Sequence, residues 1–118
     1  MLLDTHAFLW WIDGSQALRP VARAAIADPQ NDVIFSVASL WELTIKIALG
    51  KLTFPSDLET EGFGMLPVTF AHLRELATLP PLHKDPFDRM IIAQSRSDGL
   101  AIVTANPAFA PYGLEIVW

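Results

Sequence analysis

The chain has 118 residues, enough for one domain with a real core and too few for two. Thirteen acids against eight Lys and Arg give a net charge of −5, a poor balance for binding nucleic acid through its phosphates unless several acids are metal ligands. There is no Cys, which excludes a disulfide framework and thiolate metal sites and makes a reducing cytoplasm the expected compartment.

Four Trp and seven Phe in a chain that is 52% hydrophobic exceed what one core needs, so a homodimer or a protein partner is expected. The N-terminus has no basic segment, and Asp4 interrupts its apolar run, so it does not read as a signal peptide. The longest apolar stretch, 33–49, carries Glu42 and Lys46 and stops at Gly50. It reads as a strand followed by a helix and not as a membrane span.

In chain order, Met1-Leu2-Leu3 reads as a buried strand ending on Asp4, and a helix capped by Asp4 or Thr5 runs to a stop at Asp13-Gly14. Open α/β sheets bind ligands at the C-terminal edges of their strands, so Asp4 reads equally as a helix cap and as a functional carboxylate. His6 reads as a packed or rim residue, and Trp10 and Trp11 as core or interface. Arg19-Pro20 opens a second helix to about Ala27.

Val33-Ile34-Phe35 is a second buried strand, and a helix capped within 36–39 then runs from Leu40 to Leu49. Apolar residues fill most of that helix's circumference, so it is expected to be largely buried. Glu42 stands in this apolar surface. It is either an i,i+4 partner of Lys46 or a ligand, since a carboxylate there is costly without a partner.

Residues 51–64 form a polar stretch whose acids read as a solvated face, with a short helix expected from Asp57. An edge strand is expected over 65–68, then a helix capped by Thr69. His72 and His83 read as surface residues.

The segment His83-Lys84-Asp85-Pro86-Phe87-Asp88-Arg89 starts another helix. Pro86 suits the first helical position, Asp85 is a natural N-cap, and Asp88 takes the third position, favoured there by the helix dipole. After a stop at Asp98-Gly99, Leu100 to Thr104 is a further buried strand with Asn106 beyond its C-terminal edge, and Leu114 to Val117 is the last strand. Helices alternate with apolar strands, which is the pattern of an α/β fold with a central, mostly parallel sheet flanked by helices.

Asp4, Glu42, Asp88 and Asn106 can converge on one cleft in such a sheet. Oxygen ligands without Cys suit hard ions such as Mg²⁺ or Mn²⁺, and the chemistry such ions serve is phosphodiester hydrolysis. The set Leu3-Asp4-Thr5-His6, Trp41-Glu42-Leu43 with Lys46 and Gly50-Lys51-Leu52, Asp85-Pro86-Phe87-Asp88-Arg89 with Ala93-Gln94, and Val103-Thr104-Ala105-Asn106 with Phe109, Tyr112 and Gly113 resembles a PIN-domain protein. More narrowly, it is similar to the VapC toxins of prokaryotic type II toxin–antitoxin systems.

The resemblance covers the whole chain, in order, and implies a single PIN-like α/β/α sandwich over 1–118. It also implies a Mg²⁺- or Mn²⁺-dependent endoribonuclease, an RNA substrate, a homodimer and a VapB-like antitoxin that blocks the cleft. Asp4, Glu42 and Asp88 match the family's three principal metal-binding acids. Asn106 replaces a frequent fourth acid and brings no charge, so one well-held ion and a weaker second are expected.

Thr5 and Thr104 have hydroxyls suited to orienting ligands. Arg89 and Lys84 are candidates for RNA phosphate contacts or are simply solvated. A HAD-type phosphatase would need Asp where His6 stands, and a receiver domain would need an acidic pair near the start. A non-catalytic PIN-like binding module is the remaining alternative, with Asn106 as its best support.

Overall fold

The computed structural model describes residues 1–53 and 62–118. The helix expected from Asp57 lies outside these residues. Five strands, β1 (Leu2–Leu3), β2 (Ile34–Ser36), β3 (Gly64–Leu66), β4 (Ile102–Val103) and β5 (Ile116–Val117), form one sheet in the order β3-β2-β1-β4-β5. Every pairing is parallel, with Leu3 level with Phe35 on one side and Val103 on the other.

Alternate side chains of a strand face opposite sides of the sheet, and here that rule divides the core in two. Leu3, Phe35 and Val103 pack with Phe8, Ala22, Ile26 and Leu43, residues of helices α1 (Thr5–Ile12), α2 (Pro20–Ala27) and α3 (Val37–Ala48). Leu2 and Ile102 pack on the other face with Ile91, Ile92 and Phe109. These come from α5 (Pro86–Asp98) and a 3₁₀ helix (Pro107–Tyr112), while α4 (Phe70–Thr78) packs mainly against α5. The result is an α/β/α sandwich, with the central parallel sheet that the alternating pattern predicts and the layering that the resemblance implies. No helix among the described residues is long and apolar enough to cross a membrane.

The caps are local and chemical. Ser36 accepts from the Ala38 N–H at the start of α3, and Asp85 accepts from Phe87 and Asp88 at the start of α5. Gly99 ends α5 with φ +65°, a conformation that only Gly adopts without strain.

Two expectations are corrected. The helix α3 is not largely buried: Trp41 is 62% and Leu49 65% exposed, and Val37 and Ile45 are also exposed. Only Ala38, Ser39 and Leu43 of this helix are fully buried, with Leu40 partly buried against the core, so the apolar ring outgrows the contacts that one copy of the chain supplies.

His72, expected at the surface, is buried. Thr69 caps α4 and donates its backbone N–H to His72 Nδ1 at 3.0 Å, which leaves the ring proton on Nε2, 3.0 Å from Asp98 Oδ2. Gln94, also buried, accepts from Ser36 Oγ at 2.6 Å and lies 3.4 Å from both Pro67 O and His72 Nδ1. This network ties α3, α4 and α5 together.

Replacing Gln94 with Leu keeps the volume and leaves the Ser36 hydroxyl without its acceptor. The expected outcome in urea denaturation is a loss of about 2 kcal/mol with an unchanged m-value.

Candidate functional site

The strand order reverses between β1 and β4, and the crevice at such a reversal is where an open α/β sheet binds its ligands. Asp4 follows β1 and Thr104 follows β4, so the two meet there. Asp4 is 4% exposed. One carboxylate oxygen accepts from the Ala7 N–H at 2.7 Å and caps α1, while the other accepts from the Thr104 hydroxyl. The cap and the candidate functional carboxylate are thus the same group. Burial raises the Asp4 pKa above its ordinary value; the bonds from Ala7 and Thr104 and the nearby His6 pull it back, and the charge of Asp88 adds to the rise.

Asp88 enters from α5. Asp85 does the capping, with Oδ1 accepting from Phe87 N at 2.9 Å and Asp88 N at 3.1 Å, so the Asp88 side chain is not needed for it. His83, expected at the surface, is instead half-buried and donates from Nε2 to Asp88 Oδ2 at 2.8 Å. The turn that carries His83 is fixed by Arg89, whose guanidinium donates to Leu79 O at 3.2 Å, Pro80 O at 3.0 Å and His83 O at 3.2 Å. The Tyr112 hydroxyl completes the clamp by accepting from His83 N and donating to Pro80 O. Arg89 therefore serves the backbone carbonyls of this turn. Lys84 is exposed.

Glu42 comes from α3, with its side chain only 12% exposed. Lys46 stands 3.9 Å away, a loose i,i+4 pair. Burial raises the Glu42 pKa; the Thr5 hydroxyl and Lys46 oppose the rise, and the charges of Asp85 and Asp88 add to it. Asn106 uses Oδ1 to accept from Ala108 N at 3.0 Å, capping the 3₁₀ helix, and its own N–H donates to Thr104.

Asp4, His6, Trp10, Ala105 and Asn106 line an open cleft of about 300 Å³. The sequence reading left His6 and Trp10 out of the site. Their i,i+4 spacing was the available signal, and their rings lie 5.9 Å apart on one face of α1.

Among the described residues no three His, Cys, Asp or Glu side chains stand close enough to hold a metal ion as they are placed. Asp4, Glu42 and Asp88 nevertheless share one electrostatic neighbourhood, since Asp88 raises the pKa of both others. The donor set is carboxylate and hydroxyl oxygen, and the buried Thr5 Oγ has no hydrogen-bond partner of good geometry. Oxygen donors of this kind are the class that a hard divalent cation takes.

The raised pKa has a testable consequence for stability. In the unfolded chain Asp4 ionises near 3.8, while the fold retains the proton to higher pH, so raising the pH above that value favours unfolding. Asp4→Asn removes this penalty and preserves the cap. In chelator its melting temperature should exceed the wild type's at pH 7.5 by a few degrees, the scale on which about 1 kcal/mol registers, with the gain vanishing below pH 3.8.

Comparison with known proteins gives the architecture a family. The structure superposes on FitAcB from Neisseria gonorrhoeae with a TM-score of 0.67 and 21% identity over 98% of this chain and 94% of that one. FitAB bound to a DNA fragment gives 0.73 and 17%, over 98% and 92%. VapBC2 from Rickettsia felis, bound to a DNA fragment from their promoter, gives 0.71 and 14%, over 98% and 95%. At such identities the likeness is one of fold. No curated protein matches the sequence. The PIN domain model matches residues 1–113, and with a parallel sheet whose switch point holds Asp4 and Thr104, the chain belongs to the PIN-domain family.

Proposed function

We propose that the chain is a metal-dependent endoribonuclease, the VapC-like toxin of a type II toxin–antitoxin pair, with Asp4, Glu42 and Asp88 as its Mg²⁺- or Mn²⁺-binding acids. The observation that carries this is the buried Asp4 carboxylate at the sheet's switch point, oriented by Thr104 and within electrostatic reach of Asp88. When bound, the divalent ion supplies an activated water and stabilises charge on the attacking and leaving phosphodiester oxygens.

The chain's own residues do the positioning. Thr104 and the Ala7 N–H fix both oxygens of Asp4, so its orientation is set before any ligand arrives. His83 does the same for Asp88, backed by the Arg89 clamp. Glu42 is paired loosely with Lys46 and lies against the Thr5 hydroxyl. Lys84, exposed at the start of the Asp88 segment, is the candidate for a phosphate contact, and Asn106 contributes no charge to a second ion.

With a net charge of −5, DNA contact would fall to a basic partner and not to this chain. The likeness to VapBC2 and FitAB, both bound to DNA fragments, supports an antitoxin in that role. A homodimer is supported by the groove of about 520 Å³ between α3, α4 and α5, lined by Val37, Trp41, Leu73, Leu76, Phe87 and Met90. An apolar groove of this kind on a single chain marks an interaction surface.

Purified protein incubated with total cellular RNA and Mg²⁺ or Mn²⁺ should yield discrete fragments that disappear with chelator. Asp88→Asn should lower the cleavage rate by about 100-fold or more. Absence of both cleavage and Mn²⁺ binding by calorimetry would replace the enzyme with the non-catalytic binding module. In sedimentation, the wild type should run as a dimer and Leu73→Glu as a folded monomer.

A further inference from the structure

One wall of the cleft beside Asp4 is aromatic. His6 and Trp10, one turn apart on α1, line it together with Asp4, Ala105 and Asn106, and their rings lie 5.9 Å apart. Trp118, just past β5, extends the row with a ring 5.7 Å from that of Trp10. His6 is exposed, and Trp10 and Trp118 are only partly buried against the core, so the row keeps surface open to solvent.

Asn106 faces the same cleft with its orientation settled. Its Oδ1 accepts from Ala108 N at 3.0 Å, so the amide nitrogen, which bonds to no described residue, is left as a donor. Among the described residues no Lys or Arg lines this cleft, and its acid is Asp4. Such a wall offers nothing to a phosphate and suits an uncharged, flat group that carries acceptors on its edge.

We infer that His6 and Trp10 are a stacking platform for an unpaired base of the RNA, with the Asn106 amide donating to an acceptor on that base's edge. This deepens the ribonuclease reading above, on which the identity of the strand rests. Every nucleobase has a face for the rings and ring or carbonyl acceptors for the amide, whereas an apolar side chain would leave the amide unanswered. Stacking also supplies hold on the strand without charge, which a chain of net charge −5 needs. A base within a duplex has its faces and pairing edge occupied, so the strand must be single at this point.

The test is binding in chelator, measured by fluorescence anisotropy on a short labelled RNA without secondary structure and on the same strand annealed to its complement. His6→Ala and Trp10→Ala should each weaken single-strand binding roughly ten-fold, while His6→Phe and Trp10→Phe retain it. Phe70→Ala, which removes an exposed ring on α4, should change nothing. The wild type should bind the duplex more weakly, and no variant should alter that. His6 is exposed, so His6→Ala carries the test even where Trp10→Ala disturbs the edge of the core. Irradiation of the same strand carrying iodouridine should crosslink it to His6 or Trp10, read by peptide mass.

Unchanged single-strand affinity in His6→Ala, equal affinity for the duplex, or no single-strand binding by the wild type would overturn the inference. Each leaves the ribonuclease reading standing where the wild type still cuts RNA with Mg²⁺ or Mn²⁺. A wild type that neither binds nor cuts RNA would overturn both.

Discussion

The structure depends on a carboxylate that the fold cannot avoid burying. Strand β1 is central, with β2 on one side and β4 on the other, so the residue that follows it is walled in by two neighbours and by the helix it starts. That residue is Asp4. An unpaired carboxylate in such a position is costly, and the surroundings answer it with the Ala7 N–H, the hydroxyl of Thr104 from a strand 100 residues away, and the positive end of α1. The answer is incomplete, since burial still outweighs these bonds and raises the pKa. A buried acid that its surroundings stabilise only in part is a candidate functional group.

The second acid is held by a different device. Arg89 places a fixed positive charge against three backbone carbonyls of the turn before α5, and Tyr112 reaches the same turn from the 3₁₀ helix. These bonds give a proline-rich, irregular segment one shape, and that shape delivers His83 to Asp88. A side chain on a loop is placed precisely only when the loop's own carbonyls are occupied, and here one guanidinium does most of it.

What the sequence revealed and what it hid divide along the range of the interactions. Asp85-Pro86, Ser36, Thr69 and Gly99 were legible because a cap is decided within four residues, and the parallel sheet was legible because strands buried on both faces read as continuous apolar runs. Asp4 was legible as either a cap or a site residue, and the structure makes it a cap while placing it in the cleft.

His72 and His83 were misread because each finds its partner across the fold or in an irregular turn. Asn106 was read for its chemistry toward a metal, whereas its side-chain oxygen serves a local cap. The helix α3 was misread for another reason: its apolar residues were counted as core, although one chain has too little surface to cover them all.

That uncovered surface adjoins two of the candidate acids. Trp41 precedes Glu42 and Phe87 precedes Asp88, and the two rings meet edge to face with centroids 5.2 Å apart. Whatever covers the groove therefore lies one residue from two of the three acids. Successive helical positions face about 100° apart, so Trp41 and Phe87 line the groove while Glu42 and Asp88 turn away from it along the same two helices. The apolar surface and the candidate acids therefore adjoin without sharing a side chain, and the same two helices, α3 and α5, place both.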